Sequence, residues 1–180
     1  MKKLLLLFTV ITLLATHETS AQKFSGLDKS PHDIAYYRTD RSAPPLIKLL
    51  YGRPQKKKRK IFGDGGIVPY ENVWRTGANE ATEITFYKDV NFGGKPVKAG
   101  TYTLFTIPGA NEWTVILNSD INVWGAYSYK MGKDVARIKV PVTTESKSLE
   151  ALSMTFTEVD KGAHLNIGWD TVRVAIPIGW

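Results

Sequence analysis

From Thr82 onward the chain alternates apolar and polar residues with a period of two. Ile84 and Phe86 alternate with Thr85 and Tyr87, and Trp113, Val115 and Leu117 alternate with Thr114 and Ile116. The pattern is cleanest later. Ala136, Ile138, Val140 and Val142 face one way with Arg137 and Lys139 opposite, and Leu152, Met154 and Phe156 share a face. Leu165, Ile167 and Trp169 form another set, as do Val172, Val174, Ile176 and Ile178. Such one-sided alternation predicts antiparallel strands with one wet face. Upstream, residues 33–38 predict a first strand with Ile34 and Tyr36 on one face, and residues 46–51 a buried strand broken only by Lys48. Residues 102–107 read as a strand closed by Pro108-Gly109. Turn chemistry separates the runs at residues 40–45, Gly52-Arg53-Pro54 and residues 91–96. There is no convincing helix and no repeat. The expectation is an all-β single domain over residues 32–180, an antiparallel β-sandwich of about eight or nine strands. Its core should take Ile138, Val140, Leu152, Met154, Phe156, Leu165, Ile167, Val172, Val174 and Ile176.

The first residues follow a different rule. Lys2 and Lys3 precede an almost unbroken apolar run over residues 4–15, and Thr19-Ser20-Ala21 offers small residues for cleavage. That is the layout of a secretory signal peptide over residues 1–21, too short to span a bilayer. Nothing later resembles a transmembrane segment. Residues 22–31 are polar and read as a flexible leader ending in Ser30-Pro31. The strand pattern runs to Gly179-Trp180, which leaves no C-terminal sorting domain or anchor in view. Periplasmic or secreted localisation follows, without a lipid anchor, since the chain has no cysteine to carry one.

Composition narrows the chemistry. Without cysteine there are no disulfides, thiol nucleophiles or cysteine zinc sites. Cleavage takes Lys2, Lys3 and Glu18 and lowers the formal charge from +7 to +6. A basic chain favours anionic surfaces, but export makes nucleic acid no partner. Gln55-Lys56-Lys57-Lys58-Arg59-Lys60 matches a nuclear import signal in composition alone. It predicts a solvated, mutually repelling loop with little influence on stability, able to dock on anionic lipid or glycan. There is no Gly-x-Ser-x-Gly, His-Glu-x-x-His or dinucleotide fingerprint, and the glycines at 63, 65 and 66 lack the lysine of a phosphate-binding loop. No cofactor and no metal site is predicted. His32 and His164 have no short ligand spacing, and His164 reads as an exposed strand histidine.

The densest chemistry is Trp74-Arg75-Thr76-Gly77-Ala78-Asn79-Glu80. A cation, an amide and a carboxylate surround a glycine just upstream of a strand pattern. An arginine–carboxylate pair orients anionic or polyhydroxylated ligands, and asparagine adds a donor and an acceptor. The alternative is a structural network in which Arg75 and Glu80 pair. Trp74 is expected in the core with a buried acceptor for its indole N–H. Gly77 is expected to turn the backbone, with positive φ, so that Arg75 and Asn79–Glu80 emerge together. Trp124, Tyr127 and Tyr129 in the 118–132 connection either stack on sugar rings or, the favoured expectation, fold over the end of the sandwich with Trp124 as a buried plug.

Together with Ser30-Pro31-His32, Tyr51-Gly52-Arg53-Pro54, Ala99-Gly100-Thr101-Tyr102, the strand at 113–118 and Asn122-Val123-Trp124-Gly125-Ala126, that motif resembles the bacterial family catalogued as domain of unknown function 2911. The likeness covers roughly residues 30–178. It implies an exported, mostly β domain of Gram-negative bacteria and no established activity. His32 is expected beside the central motif on the strength of that resemblance. The candidate binding residues are then His32, Arg53, Arg75, Asn79, Glu80, Trp124 and Tyr127. The expected function is that of a non-catalytic envelope module binding a small molecule, glycan or protein partner. The alternatives are a hydrolase-like enzyme using Glu80 and Arg75 with His32, and a structural or assembly protein.

Overall fold

A computed structural model describes residues 22–180; the expected signal peptide, residues 1–21, lies outside the described residues. The period-two stretches become nine strands: β1 His32–Tyr37, β2 Ile47–Gly52, β3 Glu83–Phe86, β4 Val90–Phe92, β5 Lys95–Val97, β6 Gly100–Ile107, β7 Glu112–Asn118, β8 Asp134–Val159 and β9 Gly162–Gly179. They form one antiparallel ladder in the order β1-β2-β3-β6-β7-β8-β9-β4-β5. The two layers expected of a sandwich are thus parts of a single sheet. β8 joins them: Ala136–Val140 pair with β7, whereas residues 142–159 pair with β9. Runs that read as separate strands, 136–142 with 152–156 and 165–169 with 172–178, are each one long strand. The hairpin bends where register shifts between Thr144 and Leu149 and between Leu149 and Ser153, opposite Asp170 in the left-handed region at φ 51°.

One core fills the space between the layers. Ile47, Leu49, Ile84, Leu104, Val115 and Leu117 meet Leu152, Leu165 and Ile176, all fully buried. Eight of the ten core positions expected from the alternation are buried. Phe156 and Val172 are half-buried. Phe156 instead rests against Tyr37 of β1, ring centroids 6.1 Å apart, and Val172 stands beside the hairpin bend. At one end four aromatic rings interlock: Phe62 lies 5.2 Å from Trp113, and Trp74 stacks on Trp169 at 6.1 Å and 17°.

Strands β6 and β7 lose their alternation because they are covered on both faces. Phe105 and Ile116 point away from the main core, yet they are buried in a second cluster with Ala81, Val73, Val123, Ala126 and Tyr129. The covering pieces are the central motif and the 118–132 connection, so both are held over one outer face of the sheet.

Beyond β2 the chain continues beside β8. Leu152 N–H donates to the Pro54 carbonyl at 3.0 Å, and Lys56 N–H to Glu150 at 2.6 Å. This corrects the picture of residues 56–60 as a solvated loop throughout. The Lys56 ammonium donates to Asp170 Oδ1 at 2.5 Å, with both side chains about three-quarters buried. Lys57 and Lys58 turn outward at φ 48° and 60° and are exposed. A lysine run cannot itself show which member meets a carboxylate 114 residues away. Lys56→Gln should therefore lower stability by about 1.5–3 kcal/mol, the range of a charged hydrogen bond. Lys57→Gln or Lys58→Gln should change it by less than about 0.5 kcal/mol. Urea melts of the three variants check this. The Lys56 hydrogen bond, aided by Ser148 and opposed by burial, holds the Asp170 carboxyl below its usual range. A depressed carboxyl contributes fully above its unfolded value, about 3.9, and loses that contribution as acid protonates it. The Lys56→Gln deficit should therefore shrink on acidification below about pH 4.

Candidate functional site

The central motif is a loop closed by its own hydrogen bonds. Trp74 and Thr106 of β6 exchange backbone hydrogen bonds at 2.7 and 3.0 Å, and Thr82 N–H donates to the Arg75 carbonyl at 3.0 Å. Trp74 is buried as expected, and its indole N–H donates to the Gly77 carbonyl at 3.2 Å. The Thr82 hydroxyl donates to the Thr76 carbonyl at 2.8 Å, and the Thr76 and Thr106 hydroxyls meet at 3.1 Å.

The turning residues differ from the expectation. Positive φ falls on Thr76 (55°) and Asn79 (62°), not on Gly77. Glycine is needed at 77 for proximity: a Cβ there would lie 3.1 Å from Thr82 Oγ1 and 3.2 Å from the Gly52 carbonyl oxygen. A Cβ on Gly52 would in turn collide with the Ala78 carbonyl. Two sequence-distant motifs, Tyr51-Gly52 and Gly77-Ala78, thus touch backbone to backbone.

The 118–132 connection lies along the far side of this loop. Ala81 N–H donates to the Val123 carbonyl at 3.0 Å and Gly125 N–H to the Asn79 carbonyl at 3.1 Å, with Glu80 bridged to Trp124. Val123, Ala126 and Tyr129 anchor the connection by packing on the second cluster. Tyr129 sets its ring 5.2 Å from Phe105, and its hydroxyl donates to Asp134 Oδ2 at 2.7 Å while accepting from Arg137. Burial first, then the Asp134 carboxylate, pushes the Tyr129 phenol up, so it stays a neutral donor. Asn118 donates to Asp134 Oδ1 at 2.8 Å, and Asn122 N–H donates to Glu83 Oε1 at 2.6 Å. This supporting network was not visible in the sequence, which holds no local signal for its partners.

With those anchors buried, Trp124 is released. It is 62% exposed and Tyr127 is 87% exposed. The expected plug is therefore a projecting indole on the outer face, because smaller neighbours do the covering. Beside it, His32 Nε2 stands 3.9 Å from Glu80 Oε2, both side chains open to solvent. Asn79 Nδ2 donates to Asp28 Oδ1 at 3.1 Å. The Asp28 carboxyl is held below its usual range by the Ser30 N–H and then by Asn79. His32, Asn79, Glu80 and Trp124 are thus neighbours on one exposed rim.

Arg75 and Arg53 behave differently. Among the described residues Arg75 forms no ion pair with Glu80, and its buried Nε lacks a hydrogen-bond partner. By alternation with Trp74 it lies on the side where Val73 packs under the Trp124 connection. Arg53 is tied into the fold by all three of its guanidinium nitrogens. Its Nε donates to the Leu152 carbonyl at 3.0 Å, Nη1 to Asp33 at 2.8 Å and Nη2 to the Ser153 hydroxyl at 2.9 Å, tying β1 to β8.

Chemically, the rim offers an exposed aromatic face flanked by a carboxylate, an imidazole and an amide. Such a set stacks on the C–H face of a ring and hydrogen-bonds its hydroxyls. The Glu80 side chain is 58% exposed.

Searches of curated proteins and of solved structures find no match to the chain. A family model does match, over residues 30–178, and the matched span takes in His32, both touching glycine motifs and the Trp124 connection. On that extent of agreement, the chain belongs to the family described as protein of unknown function, DUF2911.

Proposed function

We propose that the protein is an exported, non-catalytic binding module whose ligand surface is the rim formed by Trp124 and Tyr127 with His32, Asn79 and Glu80. The observation that carries this reading is the 62% exposure of Trp124 beside Glu80. Trp124 and Tyr127, 62% and 87% exposed on one well-anchored loop, present aromatic surface bordered by polar groups, and apolar patches of that kind mark binding sites. Its flanking groups suit a polyhydroxylated ligand, so a glycan of the cell envelope is the proposed partner. Export rests on the N-terminal charge and hydrophobicity pattern. Mass analysis of the exported protein should give a chain beginning at Gln22, and retention of residues 1–21 would contradict it.

Of the five tryptophans, Trp74, Trp113 and Trp169 are buried and Trp124 is exposed. Titration with cello-, xylo-, malto- and chito-oligosaccharides and peptidoglycan fragments should therefore shift or quench the long-wavelength edge of the emission. A Trp124→Phe variant should lack that response. No response to any of these families would contradict a glycan ligand.

A second reading is favoured by the 3.9 Å approach of His32 to Glu80, an arrangement fit for acid–base work on a bound glycan. Glu80→Gln separates the two. A binding module releases no new reducing ends in either form, whereas an enzyme releases them and loses this ability on substitution.

A further inference from the structure

The bent β8–β9 hairpin carries a concavity of about 350 Å³ on its outer face, lined by none of the Trp124 rim residues. Burial of Leu152, Met154, Leu165, Ile167 and Val174 fixes the core side of this hairpin, so Ser153, Thr155 and Thr157 line up on the opposite side. The bend at residues 145–149 brings Thr143 round to the same hollow. We infer that this hollow is a second binding site, for a neutral sugar or polyol of monosaccharide size.

Three features support that ligand. First, the hollow is shaped by the backbone. Arg173 donates from Nη1 to the Asp170 and Val172 carbonyls and from Nη2 to the Lys147 carbonyl, which fixes the bend. Gly168 lets the floor close tightly: a Cβ there would lie 2.9 Å from Leu149 Cδ1 and from Arg173 Cδ, so both side chains pack directly on the glycine backbone. Second, the polar lining mixes donors and acceptors. Asn166 donates to Thr157 Oγ1 at 2.9 Å, leaving its own carbonyl oxygen as an acceptor. Among the described residues, the Thr155 hydroxyl and the Glu145 carboxylate at the mouth have no side-chain hydrogen-bond partner. Glu145 and Arg173 balance in charge, which favours a neutral ligand. Third, Leu149 and Ala175 give the lining an apolar portion for a sugar's C–H face. The size falls in the range of small-molecule pockets.

The test is NMR titration of the ¹⁵N-labelled protein with D-glucose, D-galactose and D-mannitol at millimolar concentration. Saturable shifts are expected for the amides of Thr155, Asn166 and Gly168 with at least one of the three. Thr155→Trp, an outward-facing substitution that fills the hollow, should weaken that ligand by about tenfold or more. Asn166→Ala, which removes an amide without adding bulk, should weaken it as well and decides the matter should Thr155→Trp not fold. The inference is overturned if none of the three compounds moves these amides, if only amides near Trp124 and Glu80 move, or if a folded variant binds as the native protein does. The hollow shares no residue with the Trp124 rim, so failure of either site leaves the other standing.

Discussion

Trp74→Ala should destabilise the fold by about 3–5 kcal/mol. The ring is buried in the aromatic cluster, 6.0 Å from both Phe62 and Trp113 and stacked on Trp169 at 6.1 Å. Truncation leaves a cavity walled by three large rings, two of them, Trp113 and Trp169, held on paired strands. It also orphans the Gly77 carbonyl, which accepts the indole N–H inside the protein. Trp74→Phe divides these contributions, keeping an aromatic body while removing the donor. It should cost less, about 1–3 kcal/mol, the penalty of an unsatisfied buried acceptor. Denaturant melts of both variants check the pair, and a loss below about 1 kcal/mol for alanine would place Trp74 outside the packed core.

Gly52→Ala is the second large effect, and it acts through the backbone. Gly52 closes β2 where the 77–78 segment passes over it, and an added Cβ would fall inside the Ala78 carbonyl. Neither partner is a flexible side chain able to swing aside. Gly52 belongs to a paired strand, and the loop over it is tied down at Trp74, Thr76 and Thr82. Overpacking of this kind costs about 3 kcal/mol, at the upper end for one added methyl, because the backbone must move. The displaced segment holds Asn79 and Glu80, so the variant should also weaken ligand response per folded molecule. A stable Gly52→Ala protein with native response would show that the two motifs need no close contact.

The contrast between these two sites reflects what the sequence carries. Ile138–Val140 and Leu165–Ile167 were legible because one face meets the core and the other meets water. Between residues 143 and 148 every residue is polar and exposed, whichever face it takes. The alternation therefore vanishes at the bend, and the continuity of β8 vanishes with it. The burial of Trp74 followed from its size and its neighbours. Trp124 went the other way for a local reason: Val123, Ala126 and Tyr129 cover Phe105 and Ile116, so no apolar surface remains for the indole to cover. Composition alone does not rank the apolar residues of one connection. Gly77 illustrates a further limit. A glycine signals that a side chain is unwelcome, and here the causes are the Thr82 hydroxyl and a strand 25 residues earlier, with positive φ falling on Thr76 and Asn79 instead. The meeting of His32 with Glu80 is likewise a consequence of topology, since β1 reaches the motif only through its pairing with β2.

The central claim is that the Trp124 rim binds ligand and does not hold the fold together. Its most direct test is Trp124→Ala measured twice on one preparation, for thermal stability and for affinity toward the oligosaccharide that perturbs native tryptophan emission. The exposed ring should contribute little to folding, so stability should change by less than about 0.5 kcal/mol. Affinity should fall by about 2 kcal/mol, close to thirtyfold, as expected for a central aromatic anchor. Native affinity in the variant, or a loss of stability large enough to account for the loss of binding, would contradict the account.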